Sequence, residues 1–119
     1  MSNGVNGTLE AEQLDALFMA LGDRTRRDIV ARLSAGEATV KELAERYDMS
    51  MQAVSQHIQV LERSGLVSRG RHRQTRPCRL EPGRLEAAAS WIEQSRRVWA
   101  ERMDQLEARL AHLQDGEGR

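Results

Sequence analysis

Apolar residues recur at helical spacing in four short blocks and then, beyond a stretch rich in Gly and Arg, in one long block. Leu14, Leu17, Phe18 and Leu21 stand at i, i+3, i+4 and i+7, one stripe of a first helix. "LGD" breaks the pattern, and Asp23 is a good N-cap for a second helix with Ile29, Val30 and Leu33 on its inner face. Gly36 ends that helix. Thr39 and Glu42 have the spacing of a capping box, opening a short third helix through Leu43 and Ala44. After the turn "YDMS", Ser50 caps a fourth helix whose inner stripe is Met51, Val54, Ile58 and Leu61. Gly65 is its C′ stop, and Leu66 is the hydrophobic residue that usually follows such an ending.

Two short β-like runs, "GLVSRG" and "TRPCRL", flank "GRHRQ" and predict a two-stranded hairpin with an Arg-studded tip, over about residues 66–80. Pro77 argues that its second strand is an edge strand. Pro82 suits the first position of a last helix, over about 82–113. There Leu85, Ile92, Trp99, Leu106 and Leu113 recur every seven residues. Ala89, Met103 and Leu110 form the companion seam, which Arg96 interrupts. A sustained seven-residue repeat asks for a partner helix. At about 29 residues the helix would be about 43 Å long, more than a domain this small can cover. Helix, helix, a tight pair of helices, basic hairpin, long helix is the order of a winged helix-turn-helix: mainly α, with a small β-hairpin wing and a long C-terminal dimerisation helix.

The chain's 119 residues argue for one domain, taken as residues 9–114, between a disordered leader at 1–8 and a flexible tail at 115–119. Aromatics are few (Phe18, Tyr47, Trp91 and Trp99), so the core is expected to be aliphatic. Formal charge is zero, with 18 basic and 18 acidic residues, but the layout is uneven. Residues 1–20 carry three acids and no base, whereas Ser64 to Leu80 carries five Arg and no acid. This local field matters more for partners than the total does. One cysteine, no long apolar run and no signal-like start point to a reducing cytoplasm and no membrane partner.

Met49–Leu61, "MSMQAVSQHIQVL", has no charged residue in a chain where 30% are charged. Gln52, Ser55, Gln56 and Gln59 make a second stripe on that helix, opposite the apolar one. Amides and hydroxyls both donate and accept, and Gln pairs bidentately with adenine in the major groove. A Glu there would be repelled by phosphates, and a run of Lys would bind without discrimination. The missing charge is what a base-reading helix requires, with the positive charge placed in the next element. The bland alternative is a polar helix that happens to lack charge; the Arg-rich hairpin that follows weighs against it.

The run "ALGDRTRRDIVARLSAGEATVKELAERYDMSMQAVSQHIQVLERSGLVSRGRHRQTRPCRLEP" resembles the ArsR/SmtB family of bacterial winged-helix repressors, over roughly Leu14 to Leu85. Its most specific piece is "SMQAVSQHIQVLERSGLV"; Arg24 stands where the family often has Pro. The resemblance implies a homodimer that binds an inverted-repeat operator in double-stranded DNA and usually represses a nearby promoter. "RRVWAERMDQLEARLAHL" resembles a metal-free subgroup with an extended last helix. Carried onto this chain, the family pattern has Ser50 capping the recognition helix beside a phosphate, and Gln52, Ala53, Ser55, Gln56 and Gln59 facing the groove. His57 is expected to contact phosphate or base, against the alternative of a partly buried, hydrogen-bonding histidine. Arg69, Arg71, Arg73 and Arg76 are expected on phosphates or in the minor groove. Dimer contacts are expected from Leu14, Leu17, Phe18, Trp91, Ile92, Trp99, Met103, Leu106 and Leu110. The two Trp are read as packing residues, the alternative being a wall of a pocket for a small-molecule effector.

The family includes metal sensors, but thiolate sensing needs two or three Cys and this chain has only Cys78. Of the family's Asp-x-His and His-x-x-Glu zinc pattern, Asp104 lacks its His, and His112 with Asp115 is at most a remnant of the second half. His57, His72 and His112 belong to separate elements. No metal and no cofactor are expected. Cys78, between Arg76 and Arg79, would have a lowered pKa in principle, though an incidental strand residue is the favoured reading. No Gly-rich phosphate loop, paired carboxylates or nucleophile–base pair suggests an enzyme. The rival function is a winged helix for protein contacts without DNA readout, which would favour a charged or hydrophobic fourth helix. Operator, regulated genes and any effector are not written in the chain.

Overall fold

The structure, a computed structural model, describes residues 9–71 and 75–117. Residues 1–8, 72–74 (Arg73 among them) and 118–119 lie outside the described residues. The elements run α1 (Ala11–Leu21), α2 (Arg24–Leu33), α3 (Val40–Ala44), α4 (Met51–Arg63), β1 (Val67–Arg69), β2 (Cys78–Leu80) and α5 (Pro82–Glu117). The chain is thus a winged helix-turn-helix: mainly helical, with a two-stranded hairpin and a long last helix.

Side-chain caps set the helix starts. The Asp23 carboxylate accepts from the Arg26 amide at 3.1 Å. The Thr39 hydroxyl accepts from the Glu42 amide at 3.1 Å while the Glu42 carboxylate accepts from the Thr39 amide at 2.8 Å, a complete capping box. The Ser50 hydroxyl accepts from the Ala53 amide at 3.0 Å. α4 ends in a Schellman motif: the Leu66 amide bonds the Leu61 carbonyl at 3.1 Å, and the Gly65 amide bonds that of Glu62 at 3.0 Å. Gly65 has φ +84°, the left-handed conformation this ending needs and glycine adopts without strain.

One apolar core lies among these elements. Leu17 and Ala20 come from α1, Ile29, Val30 and Leu33 from α2, Leu43 from α3, and Val54, Ile58 and Leu61 from α4. Leu66, Val67, Cys78 and Ala88 close it. Burying each of the larger side chains stabilises the fold by roughly 1.5–3 kcal/mol. Met51, read as part of the inner stripe, is instead 51% exposed. It stands on the first turn of α4, before the helix has run under its neighbours. Leu17, read as a dimer contact, is fully buried within its own chain.

The strands pair antiparallel, Val67 with Leu80, Ser68 with Arg79 and Arg69 with Cys78. On its other side Cys78 bridges Ala38, with amide-to-carbonyl distances of 2.7 and 3.2 Å. The second strand is therefore not a free edge at Cys78, contrary to the reading from Pro77. Pro77 lies one residue before β2, where its carbonyl accepts from the Gly70 amide at 2.7 Å and no proline N–H is needed.

Residues to Ala88 form one compact unit, and Ala89–Arg119 forms a second. The described part of the second is helical to Glu117, four residues beyond the expected end at 113. It carries Ile92, Trp99, Met103, Leu106, Leu110 and Leu113 as exposed large apolar side chains.

The turn of the helix-turn-helix is tied to α2. The Tyr47 hydroxyl donates to the Asp28 carboxylate at 2.6 Å, and Arg46 Nε donates to the same oxygen at 3.3 Å. Burial first, and then the bond to Asp28, push the Tyr47 pKa up to about 12. A raised value for a phenol means that the folded chain holds the proton more tightly. The stabilisation is full below the ordinary value of about 10 and is lost as pH rises toward about 12. Tyr47 is the chain's one tyrosine, so the phenolate absorbance reports on it alone. We expect a native midpoint near 12, a fall in thermal stability above pH about 10, and a lower midpoint in Asp28→Asn. A native midpoint at the ordinary value would contradict this anchoring.

Candidate nucleic-acid interface

The site is built on α4 and the wing. Burying Val54, Ile58 and Leu61 turns the opposite side of α4 outward. Gln52, Gln56 and Gln59 are exposed on it, and Ser55 and Ala53 are half-buried at its margin. The three glutamines form no hydrogen bond with other described residues, which leaves their amides available as paired donors and acceptors. Ser50 holds the helix start by accepting from the Ala53 amide.

His57 differs from its first expected role. Its ring is half-buried, and Nδ1 lies 3.2 Å from Arg26 Nη1 and 3.9 Å from Asp23 Oδ2. A guanidinium only donates, so Nδ1 accepts and the ring proton sits on Nε2. The hydrogen-bonding histidine, the alternative weighed from sequence, describes this geometry; a phosphate contact through Nδ1 does not.

Arg26 was not singled out from sequence. Its Nε donates to the Ala20 carbonyl at 2.7 Å and its Nη2 to the Met19 carbonyl at 3.1 Å. Arg27 Nη1 donates to the Leu21 carbonyl at 2.8 Å. Two adjacent arginines thus donate to three of the carbonyls that end α1, of which that of Met19 also accepts from the Gly22 amide at 3.1 Å. The legible signal was "RTRRD", three arginines in the first turn after an N-cap, where the helix dipole disfavours cations.

In the wing, Arg71 and Arg76 are exposed. Arg69 is half-buried, and its Nε donates to the Arg76 carbonyl at 2.9 Å. It therefore braces the hairpin as well as adding charge. Arg76 has φ +41°, in the left-handed region. Arg79 is 3.8 Å from Glu37. Arg73 lies outside the described residues, so nothing places it in the wing. Leu14 and Phe18 of α1 are half-buried, and Trp91, Ile92, Trp99, Met103, Leu106 and Leu110 of α5 are exposed in the second unit.

Cys78 is fully buried in the core. Burial pushes its thiol up, and this outweighs the opposite pull of Arg69. The lowered pKa expected from flanking arginines is thereby overturned, because the side chain points inward. Among the described residues no group of three or more His, Cys, Asp or Glu side chains is arranged to hold a metal ion. No helix among them is long and apolar enough to cross a membrane.

A capped three-helix unit with an outward amide stripe and a basic hairpin defines the class: a DNA-binding winged helix-turn-helix. A helix-turn-helix domain family model matches residues 21–69. The chain is 36% identical over 104 residues to the HTH-type transcriptional regulator Rv2034 of Mycobacterium tuberculosis, covering 87% of this chain and 91% of that one. It is 28% identical over 79 residues to the transcriptional repressor SdpR of Bacillus subtilis, covering 66% of this chain and 88% of that one. Among solved structures, the ArsR family transcriptional regulator RHA00566 superposes with a TM-score of 0.71 at 36% identity, covering 78% of this chain and 96% of that one. The chain belongs to the ArsR family of DNA-binding transcriptional regulators, whose fold and relatives are not those of enzymes.

The buried thiol gives a direct check. We expect Cys78 in the native protein to react with an aromatic disulfide reagent at least about a hundredfold more slowly than in denaturant. Equal rates in the two states would mean that the side chain is open to solvent.

Proposed function

We propose that the protein is a homodimeric repressor that binds an inverted-repeat operator in double-stranded DNA in the cytoplasm. The observation that carries this reading is the outward face of α4, where Gln52, Gln56 and Gln59 replace the Lys and Glu usual on a surface helix. One α4 from each subunit enters successive major grooves about 34 Å apart. Gln52, Gln56 and Gln59, with Ser55 and Ala53 beside them, read base edges there. Arg69, Arg71, Arg73 and Arg76 hold the backbone or the minor groove. The apolar stripe of α5, from Ile92 to Leu113, pairs with its equivalent, with help from Leu14 and Phe18 of α1; an exposed apolar stripe at seven-residue spacing supports this assembly. The repressor named among the relatives supports the sign of regulation. An effector, which nothing in the chain identifies, would act by changing the spacing of the two α4 helices.

Selection from a random duplex pool should return a symmetric site. On that site, Gln56→Ala should relax preference at one position per half-site by about 1–3 kcal/mol. Arg71→Ala should weaken binding to all sequences alike and reduce the salt slope by about one unit. If Gln56→Ala lowers affinity without altering preference, α4 does not read bases. A salt response that is flat on the selected site would favour a protein-contact module instead.

Assembly is tested separately. Trp99 is 66% exposed, so Trp99→Glu should leave the core unit folded and shift sedimentation from dimer to monomer. A variant that still sediments as a dimer would refute pairing through α5.

A further inference from the structure

We propose that Arg26 is a positioning residue for DNA reading: its guanidinium fixes α4 to the end of α1 through neutral His57, and a proton on His57 Nδ1 releases that hold. This rests on α4 being the reading helix. Three elements meet at one side chain. Arg26 sits on the first turn of α2, donates to the Met19 and Ala20 carbonyls at the end of α1, and donates to His57 in the middle of α4.

The His57 ring belongs to the same turn of α4 as Gln56, so it moves with the reading face. Gln52, Gln56 and Gln59 are free to turn about their own bonds, and only the pose of the helix aims them. The apolar stripe sets which face of α4 is inward, but Val54, Ile58 and Leu61 are aliphatic and tolerate small slides. A directional bond such as Arg26–His57 is sensitive to angle and distance, and it resists such slides.

The bond needs a lone pair on Nδ1. Proton uptake there turns the acceptor into an N–H that faces the donating guanidinium, and the two can no longer bond. Among the described residues, the charged groups that meet the ring both come from the start of α2: Arg26 at 3.2 Å and the Asp23 carboxylate at 3.9 Å. From α1 the guanidinium meets the Met19 and Ala20 backbone carbonyls. The new N–H would turn to Asp23 Oδ2, the same oxygen that caps α2 by accepting from the Arg26 amide. Protonation thus breaks the tie from α1 to α4 and competes for the α2 cap.

This predicts a sign opposite to that of a phosphate contact. An imidazolium on a phosphate would tighten DNA binding as pH falls, whereas release of α4 weakens it. The experiment measures affinity of the full chain for its selected duplex from pH 8 to pH 5.5, in wild type, His57→Ala and His57→Asn. Asparagine offers an oxygen near the place of Nδ1 that accepts but does not titrate. At pH 8 we expect His57→Ala to bind about fivefold more weakly, the worth of one hydrogen bond, and His57→Asn to recover at least half of that loss. Relative to His57→Asn, which differs from wild type at this one side chain, wild type should lose about fivefold on acidification. His57→Ala binding as well as wild type, or wild type tightening relative to His57→Asn at low pH, would overturn the proposal. Failure of the wild type to select any duplex would instead sink the DNA-reading function on which it rests. Thermal melts of each variant separate loss of fold from loss of positioning.

Discussion

Val54, Ile58 and Leu61 of α4 are buried against α1, α2 and α3, and a helix can turn only one face inward. That constraint decides what the protein presents to its surroundings. Once the apolar stripe is satisfied, Gln52, Gln56 and Gln59 have nowhere to go but out. The caps and the Schellman ending then fix how far along the chain the helix extends, and so how many outward positions it holds.

Around this helix, polar groups refine what the core leaves loose. Asp28 gathers Tyr47 and Arg46, so the turn before α4 hangs from α2. Arg26 gathers the end of α1 and the ring of His57. Both devices start in the first half of α2, two residues apart, and one reaches the turn before the reading helix while the other reaches its middle. α2 therefore acts as the frame for its neighbours, although none of its own side chains was expected to do more than pack or cap.

Much of this was legible beforehand because the signals were local. Capping chemistry depends on residues three apart, and Asp23, Thr39 and Ser50 each cap the helix they were expected to cap. Gly65 ends α4 for a reason contained in its own φ. The uncharged composition of Met49–Leu61 needed no neighbour to be noticed. Met51, Leu17 and the acidity of the Cys78 thiol depart from what their local pattern suggests because their fate depends on what lies across from them. Met51 follows the period of a buried stripe but meets no covering element at the helix start, and it stands half-exposed. Cys78 looked like a thiol among arginines, but strand alternation sends Arg79 outward and the thiol inward, against Ala38 and the core.

The chain alone determined the order of elements, the stops and caps between them, the helix face that lacks charge and the seven-residue apolar repeat of α5, since periodicity and capping are properties of near neighbours in sequence. Only the tertiary structure decided which partners polar side chains take across long separations. His57 is 31 positions from Arg26, and Asp28 is 19 from Tyr47. No period or motif encodes such pairings: the core packing first brings the groups within hydrogen-bond reach, and burial then makes leaving them unpaired costly.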